Sequence, residues 1–185
     1  MTIINIKDPE KGGISYNLNE AISFKAFLSS MGDERSKIQK VADIVPSNKV
    51  SGYGYDINPS IDWRKHNGWV YVIAVDEKVA KIGMSETTLS SRFSSYQAGT
   101  LKARIKGTCS VTNFYCSEFI RQCHRDGKKI KLYAYPVPVH TTIIDVLGEQ
   151  VEVQQKLSYI FEKKLMERYE KLTGTRPLLC RNCSL

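Results

Sequence analysis

The clearest hydrophobic pattern in the chain is an apolar run at residues 69–75, followed by a polar turn and a shorter apolar run. The first run is rich in β-branched and aromatic residues, and this composition favours a strand. We interpret residues 76–78 as a three-residue turn and residues 79–83 as the returning strand. The pattern therefore predicts a β-hairpin in the middle of the chain.

The length of this turn decides which side chains meet across the hairpin. A three-residue turn pairs Tyr71 with Gly83 and Ile73 with Lys81, which places Tyr71, Ile73 and Lys81 on one face. A two-residue turn would shift the register by one residue and separate them. In the first register a phenol lies near an ammonium group, and such a pair can handle a proton.

A helix is predicted directly after the hairpin. Residues 85–95 are polar, and Ser85 or Thr87 is a plausible N-cap. This helix could lay the guanidinium of Arg92 beside the tyrosine and lysine of the hairpin. Tyr96 follows Arg92 by four residues, so both side chains fall on the same helix face.

The first 65 residues predict an N-terminal helical extension. Residues 19–30 have the pattern of an amphipathic helix, and residues 33–44 predict a second helix with Asp33 as its cap. Residues 51–60 are dense in glycine and tyrosine, which is typical of a loop. This extension could pack on the core or act as an arm that embraces DNA, and the sequence does not separate the two.

The region from about residue 100 to 153 predicts an inserted helix and hairpin. Residues 111–124 predict the helix, residues 128–139 a strand whose prolines confine its end to an edge or exit, and residues 141–153 two short strands turning at Gly148-Glu149. A final helix at residues 154–172 ends at Gly174. Its predicted apolar stripe comprises Leu157, Ile160, Phe161, Leu165, Tyr169 and Leu172.

These elements predict an α+β fold with a small central antiparallel or mixed β-sheet flanked by helices. We divide the chain into the extension at residues 1–65 and a main domain at residues 66–185 that carries the insertion. The length of 185 residues and the hydrophobic content of 42% suffice for a buried core.

The net charge of the chain indicates which class of molecule it binds. The formal net charge is +8 and the sequence pI is near 9.2, which favours a polyanionic partner such as nucleic acid or an anionic membrane. No apolar run approaches the length that spans a bilayer, and the N-terminal residues do not resemble a secretory signal. We therefore expect a cytoplasmic protein without a membrane partner.

The cysteines do not predict a disulfide framework, because their number, five, is odd. Cys109, Cys116 and Cys123 recur every seven residues, which suits small thiols buried along one helix face. Cys180 and Cys183 have the spacing of half a zinc site, with Cys123-His124 as a conceivable partner. A second matched pair is missing from the sequence, so we do not expect structural zinc.

The hairpin and its arginine helix resemble the GIY-YIG nucleases, which have two short strand motifs roughly ten residues apart before such a helix. The first motif here is Trp69-Val70-Tyr71 or Val70-Tyr71-Val72, and the second is Lys81-Ile82-Gly83. The second tyrosine of the family is a lysine in this chain, as in some restriction enzymes of the family. The resemblance implies catalytic roles for Tyr71, Lys81 and Arg92 and a structural role for Gly83.

The C-terminal segment resembles the closing part of the same domain. There, a helix carries a metal-binding glutamate and a later Pro-Leu-Leu…Asn segment follows. By this resemblance Glu162 is the metal ligand, and Asn182 is the closing structural residue. Glu167 is the rival carboxylate, but it lies about 140° from Glu162 around the helix.

Phosphodiester hydrolysis requires these residue types. An activated water must attack in line, and positive charge must meet the charge of the transition state. Mg²⁺, or Mn²⁺ in its place, can be held by one carboxylate, a phosphate oxygen and water. Arg92 could hold the scissile phosphate, Tyr96 could donate a hydrogen bond to it, and either Tyr71 or Lys81 could be the general base.

The predicted insertion carries a group of basic residues that could contact DNA phosphates or bases. A solvated basic face is the alternative for each of them. The group comprises Lys102, Arg104, Lys106, Arg121, Arg125, Lys128, Lys129 and Lys131.

The resemblance, the charge and the insertion lead us to expect a Mg²⁺-dependent endonuclease for double-stranded DNA, of the type II restriction class. Cleavage of both strands of a palindrome favours a homodimer, and a restriction role implies a companion DNA methyltransferase. A phage, mobile-element or repair-type nicking nuclease is the alternative within the family. A non-catalytic nucleic-acid-binding module of the same fold is the alternative from a different class.

Overall fold

The computed structural model describes residues 2–10, 12–65 and 68–181. Its centre is a five-stranded antiparallel sheet in the order β4-β3-β7-β5-β6. These strands are β3 (Gln39–Pro46), β4 (Tyr53–Ile57), β5 (Gly68–Val75), β6 (Lys78–Ser85) and β7 (Ile130–Val137). Two separate hairpins are formed by β1 (Ile3–Asp8) with β2 (Gly12–Asn17) and by β8 (His140–Val146) with β9 (Glu149–Gln155).

Helices cover both faces of the central sheet. The α-helices are α1 (Phe24–Ser29), α2 (Leu89–Gln97), α3 (Leu101–Ile105), α4 (Val111–Arg125) and α5 (Ser158–Thr173). Three short 3-10 helices span Leu18–Glu20, Gly32–Lys37 and Leu178–Cys180. The prediction of an α+β fold with a central antiparallel sheet flanked by helices is therefore confirmed.

Alternation along β5 produces two separate apolar cores. Tyr71 and Ile73 belong to the core that contains residues of α2, α4 and β1, whereas Val70 and Val72 belong to the core that contains residues of α1 and α5. Because β5 is buried along most of its length, it is a central strand, while β6 is the edge strand on which α5 packs.

The turn of the central hairpin differs from the prediction. It has two residues, Asp76 and Glu77, with φ of 45° and 61°, and Val75 pairs with Lys78. The predicted three-residue turn is therefore wrong. A bulge between Val79 and Lys81 inserts one residue and restores the predicted pairs of Tyr71 with Gly83 and Ile73 with Lys81.

The N-terminal part is not predominantly helical, which corrects the predicted helical extension. Residues predicted as a second helix, 33–44, form the 3-10 helix Gly32–Lys37 and most of β3, and the predicted loop 51–60 contains β4. Val41, Ala42 and Ile44 of β3 are buried in a core, and a register irregularity between Lys40 and Ala42 interrupts the alternation, so burial in a sheet outweighs the helical spacing of the same residues. The predicted helix at 19–30 is shortened to α1, which Ser23 caps. The division of the chain at residue 65 remains a proposal.

The predicted inserted elements are present with shifted bounds. Helix α4 and strands β7, β8 and β9 match the predictions, although the hairpin turns at Leu147-Gly148. Strand β7 pairs with β3 only as far as Ala134 but with β5 as far as Val137, so Pro136 lies where one neighbour has ended. The final helix begins at Ser158 rather than at 154, because the preceding residues complete β9.

The burial predictions hold in part. Cys116 and Cys123 are fully buried in α4, as the seven-residue spacing predicts, whereas Cys109 lies before the helix and is only partly buried. In α5, Leu165 and Tyr169 are buried, but Ile160 and Leu172 are about half exposed, so the predicted apolar stripe is too wide. None of the described helices has the length and hydropathy that crossing a bilayer requires.

Candidate active site

The N-cap of helix α2 lies one residue after Thr87, the later of the two predicted N-caps. The hydroxyl of Thr88 accepts a hydrogen bond from the Ser91 N–H at 2.9 Å, so Thr88 is the N-cap. Leu89, Phe93 and Tyr96 form the buried face of the helix. Arg92 lies next to this face and is half-buried, which turns its guanidinium toward β5 rather than into solvent.

Three predicted site residues form one polar cluster inside the protein. The hydroxyl oxygens of Tyr71 and Tyr96 lie 2.5 Å apart, and both side chains are fully buried. Arg92 donates a hydrogen bond from Nε to the Tyr71 hydroxyl at 3.2 Å, and its guanidinium lies 4.8 Å from the centroid of the Tyr96 ring. The Tyr71 oxygen therefore has two polar neighbours supplied by α2.

Tyr96 and Arg92 of this cluster differ in their charge at neutral pH. Burial raises the pKa of Tyr96 well above its ordinary value, and the nearby Tyr71 raises it further, so Tyr96 stays a neutral hydrogen-bond donor at neutral pH. Burial alone would lower the pKa of Arg92, but the phenol oxygens of Tyr71 and Tyr96 outweigh this and raise it. Arg92 is therefore a permanent cation beside the phenol pair.

Gly83 makes room for the Tyr71 ring. A Cβ atom at position 83 would lie 2.4 Å from the Tyr71 hydroxyl oxygen and 2.5 Å from the ring carbon that bears it. Real Cβ atoms do not approach so closely, so any other side chain would displace the tyrosine. The structural role predicted for Gly83 thus has a local physical reason in this chain.

Lys81 is buried at the edge strand, with 4% of its surface exposed. Its Nζ lies 3.9 Å from the sulfur of Cys180, whose thiol donates to the Ile82 carbonyl at 3.2 Å. Both residues line a cavity of about 320 Å³ between β6 and α5. The 3-10 helix that carries Cys180 packs against β6, which explains how the C-terminal segment reaches the site.

Glu162 lies on α5 where two cavities meet. It lines the first cavity together with Lys81 and a second, open one of about 340 Å³ together with Arg92 and Ser91. Burial raises the pKa of its carboxyl, and the charges of Lys81 and Arg92 work against that rise. The carboxylate is thus partly desolvated and has a cation on each side.

The rival carboxylate Glu167 has a different environment. Its side chain is exposed and pairs with Lys164 at 2.9 Å, and this hydrogen bond lowers its pKa. Glu167 lines only the first of the two cavities. The geometry therefore favours Glu162 over Glu167 as the candidate site carboxylate, because only Glu162 faces both cavities.

Within residues 2–10, 12–65 and 68–181, His, Cys, Asp and Glu side chains form no group of three or more that could hold a metal ion. A site for a hard cation would therefore depend on Glu162, with phosphate oxygens and water completing the shell. The half-buried carboxylate at the junction of two cavities fits that arrangement. Asn182 and Cys183, to which we assigned a closing role and half a zinc site, lie outside the described residues.

Two of the arginines predicted to contact DNA are engaged inside the protein. Arg104 is 7% exposed and pairs with Glu10 at 2.5 Å and with buried Asp8 at 3.5 Å. Arg121 donates to the Ser51 carbonyl at 2.8 Å and pairs with Glu118. These contacts tie α3 to the N-terminal hairpin and α4 to the loop before β4, so both arginines are engaged inside the protein, and their contacts with DNA stay a prediction.

The predicted lysines after α4 lie away from the cluster. Lys128 pairs with Asp76 at 2.9 Å and Lys131 pairs with Glu77, both at the hairpin turn. That turn begins five residues from Tyr71, which is roughly 17 Å at the rise of a strand. The structure therefore does not bring Lys128, Lys129 or Lys131 together with the candidate site.

The remaining predicted cations are on the surface of the helical layer. Arg125 is exposed and bonds to Gln122 within α4, while Lys102 and Lys106 are exposed on and just after α3. None of these three lines the two cavities that contain Glu162.

The sequence reasoning missed a basic loop beside the site. The carbonyl of Trp63 accepts from the Ser90 N–H at 3.1 Å, and the carbonyl of Lys65 accepts from the Trp69 indole at 3.2 Å. These bonds fix the loop at the start of α2, where the side chains of Arg64 and Lys65 are exposed. The signal available in the sequence was the Asp62-Trp63-Arg64-Lys65 segment just before β5.

Comparisons with known proteins support the fold. No protein-family model and no curated protein matches the sequence. Among solved structures, the chain is similar to "Restriction endonuclease HPY188I in complex with product DNA", with 23% identity, a TM-score of 0.59 and 90% of each chain covered. It is also similar to a mutant of bacteriophage T4 EndoII, with 13% identity, a TM-score of 0.54, and 80% of this chain and 95% of that chain covered. The chain therefore shares the fold of these two proteins.

Proposed function

We propose that this protein is a metal-dependent endonuclease for double-stranded DNA, of the sequence-specific type II restriction class. The observation that carries the proposal is the position of Glu162 between Lys81 and Arg92, with the Tyr71–Tyr96 pair behind the arginine. Of the two structural neighbours, one is described as a restriction endonuclease in complex with product DNA. The resemblance of the hairpin motifs to the GIY-YIG nucleases points the same way.

The two cavities that Glu162 lines form a groove, and its cations Lys81 and Arg92 suit the binding of a scissile phosphate. Arg92 keeps its charge and lines the open cavity, so its free guanidinium nitrogens can hold two phosphate oxygens. Lys81 approaches from the opposite side of Glu162 and can stabilise the charge that gathers in the transition state. We propose that DNA follows this groove, with Lys163 of the first cavity at one end and Arg64 and Lys65 at the other.

Tyr71 is our first choice for the general base. Tyr96 and Arg92 can both donate hydrogen bonds to its oxygen, which fixes that oxygen behind the guanidinium that lines the open cavity. In this proposal the Tyr71 oxygen accepts a proton from the attacking water. Lys81 is the alternative base, because its side-chain nitrogen is buried beside a thiol and lines the cavity with Glu162.

A divalent cation, Mg²⁺ or Mn²⁺, fits the oxygen donor offered by Glu162. Such an ion supplies Lewis-acid stabilisation of the leaving oxygen when bound. The carboxylate would hold the ion, and its partial burial would limit the water that competes for it. We do not include structural zinc in the proposal.

We include in the proposal the substrate, the oligomeric state and the companion enzyme that are expected of a restriction enzyme. Double-stranded DNA is the substrate, a homodimer cuts both strands of a palindromic site, and a companion DNA methyltransferase protects the same site in the cytoplasm. A phage or repair-type nicking nuclease is the second candidate, which the similarity to the bacteriophage T4 EndoII structure favours. A DNA-binding module without catalysis is the third outcome to be tested.

Incubation of supercoiled and linear plasmid DNA with the protein and Mg²⁺ tests the proposal. Discrete bands support a restriction enzyme, and nicking or smearing supports the second candidate. Retained binding without cleavage by the wild-type chain would refute an endonuclease.

Glu162→Gln should abolish cleavage while leaving DNA binding in Ca²⁺ largely intact. Its matched control is Glu167→Gln, which alters an exposed carboxylate five residues further along α5. An active Glu162→Gln protein, or an inactive Glu167→Gln protein, would overturn the metal assignment.

A further inference from the structure

The β8–β9 hairpin is almost entirely exposed. All residues of its two strands are exposed except Thr142 and Val153, which are partly buried. Its apolar residues are nevertheless large, with Leu147 fully exposed and Ile143 65% exposed. An isolated two-stranded hairpin is only marginally stable in water, so this arrangement favours a partner that covers it.

The tip of the hairpin has an unusual residue choice. Leu147 adopts a φ of 57° in the two-residue turn that it forms with Gly148. Glycine, asparagine and aspartate are preferred in this left-handed conformation, whereas a leucine there is strained. Because Leu147 is fully exposed, its side chain buries no apolar surface in the isolated chain and is available for contact with another molecule.

The negative charge of this hairpin disfavours DNA as its partner. Asp145, Glu149 and Glu152 lie on its strands and are exposed, so the arm is acidic on a chain of net charge +8. Carboxylates beside a phosphate backbone would repel it. An acidic and apolar surface instead fits a protein surface that is basic and apolar.

This chain carries such a surface on α3. Leu101 and Ile105 are 48% and 65% exposed, and their spacing of four residues places them on one side of the helix. Lys102 and Lys106 have the same spacing and are also exposed. The α3 surface, defined by these four residues, thus combines apolar side chains with two cations.

We propose that the β8–β9 hairpin docks on the α3 surface of a second copy of this chain. Leu147 inserts beside Leu101 and Ile105 of the other copy, while the carboxylates of Glu149 and Glu152 meet the lysines of its α3. Two such contacts related by a twofold axis close a dimer, because each copy supplies one arm and one surface. The inference rests on the proposed homodimeric nuclease and assigns its interface. It also gives Lys102 and Lys106 a protein partner instead of DNA.

The first test measures the mass of the full-length protein in solution without DNA, by sedimentation at several concentrations. We expect twice the 21.0 kDa of one chain. Leu147→Asn should raise the dimer dissociation constant at least tenfold while leaving the fold intact, because asparagine tolerates the left-handed turn. The control is Val50→Asn, which alters a residue that is 93% exposed in another loop and should leave the mass unchanged.

The second test is a charge exchange. Glu149→Lys with Glu152→Lys should break the dimer, and adding Lys102→Glu with Lys106→Glu should restore it. Rescue requires the two surfaces to meet, which a merely structural role of the hairpin would not produce.

Three results would overturn the inference. These are a wild-type protein that stays monomeric, a Leu147→Asn protein that dimerises like wild type, and a charge-reversed hairpin that dimerises more tightly, which would indicate pairing of two hairpins. Loss of DNA affinity without a change of mass in Leu147→Asn would assign the arm to DNA instead. Because mass is measured without cleavage, a dimer that fails to cut DNA would refute the nuclease proposal and leave this one standing.

Discussion

The hydroxyl oxygens of Tyr71 on β5 and Tyr96 on α2 lie 2.5 Å apart in the interior of the protein. The two residues are 25 positions apart in the chain, and both rings pack edge-to-face on Phe93. Arg92 completes the pair by donating to Tyr71, so the phenol of the strand is held by two groups of one helix. The aromatic packing fixes where the Tyr71 oxygen points, and this fixed oxygen is the centre of the proposed chemistry.

Tyr71→Phe should lower the cleavage rate by about a hundred- to ten-thousand-fold, because it deletes the proposed base and keeps the ring. We expect DNA affinity to remain close to that of the wild type. Single-turnover cleavage at saturating protein measures the chemical step.

Tyr55→Phe is the matched control for lost hydrogen bonding. Its hydroxyl donates to the Phe93 carbonyl at 3.0 Å, in the same aromatic core but away from both cavities. Each variant should lose roughly 1–3 kcal/mol of unfolding free energy, and only Tyr71→Phe should lose activity. Equal rates for the two variants would assign the base to Lys81 or to another group.

Gly83→Ala should disturb the site by displacing Tyr71. The new methyl group would lie 2.4 Å from the Tyr71 oxygen, so the ring must move away from Tyr96 and Arg92. We expect about 1–3 kcal/mol of destabilisation from overpacking and a fall in cleavage at least as large as for Tyr71→Phe. The control is Gly13→Ala, where the nearest atom is 3.8 Å from the new Cβ. A Gly83→Ala protein with wild-type kinetics would contradict this geometry.

The raised pKa of Glu162 leads us to expect that a rise in pH increases the cleavage rate but lowers the stability of the fold. Because burial raises its pKa above 4.5, cleavage that requires the carboxylate should begin to fail at a higher pH than for an ordinary glutamate. The folded protein binds this proton more tightly than the unfolded chain, so ionised Glu162 lowers stability above its unfolded pKa. Glu162→Gln should therefore raise the melting temperature at pH 7, and the gain should vanish as the pH falls through the raised pKa toward 4.5.

The control for this trend is Glu167→Gln. Its pKa is lowered by the hydrogen bond from Lys164, so the same substitution should leave the melting temperature at pH 7 unchanged or slightly reduced. Calorimetry of both variants between pH 4 and 8 measures the difference. A destabilised Glu162→Gln protein at pH 7 would show that Lys81 and Arg92 outweigh burial.

Arg104→Met should impair folding rather than DNA recognition. The substitution leaves Asp8 buried without its guanidinium neighbour, so the melting temperature should fall by several degrees. Adding Asp8→Asn should recover much of the loss, because the uncompensated charge is then removed. The cleavage rate of the folded fraction should not change. A stable Arg104→Met protein that binds DNA more weakly than the wild type would support the DNA contact predicted for Arg104.

Arg64 and Lys65 should contribute to DNA affinity through phosphate contacts. Replacing both with alanine should weaken binding of all sequences alike and reduce the slope of log K against log salt by about 2. Lys128→Ala with Lys131→Ala is the control, because these lysines are paired at the far end of the hairpin. Equal effects of the two double variants would place the DNA elsewhere.

The register of the central hairpin shows how a correct pairing can follow from an incorrect turn. The pairing of Tyr71 with Gly83 was predicted from a three-residue turn, and this pairing is confirmed although that turn is not. The turn is one residue shorter than predicted, and the bulge after Val79 compensates for it. A bulge leaves little trace in a sequence, because its stability depends on packing against neighbouring strands.

The strands β3 and β4 show the limit of local periodicity. Val41 and Ile44 fit the spacing of a helix, but pairing with β7 and burial against the core make this segment a strand. Partners that lie about ninety residues away decide the structure here. A window of the sequence contains no record of such contacts.

By itself, the sequence determined the order of the site residues, the spacing of the hairpin motifs, the capped helix with Arg92 and the basic charge. These properties depend on residue type and local spacing, which are visible along the chain. Only the tertiary structure decided that Glu162 rather than Glu167 lies between Lys81 and Arg92, and that Arg104 and Arg121 are engaged internally. Desolvation and ion pairing depend on which surfaces pack together, and that packing brings α5, β6 and α2 to one groove.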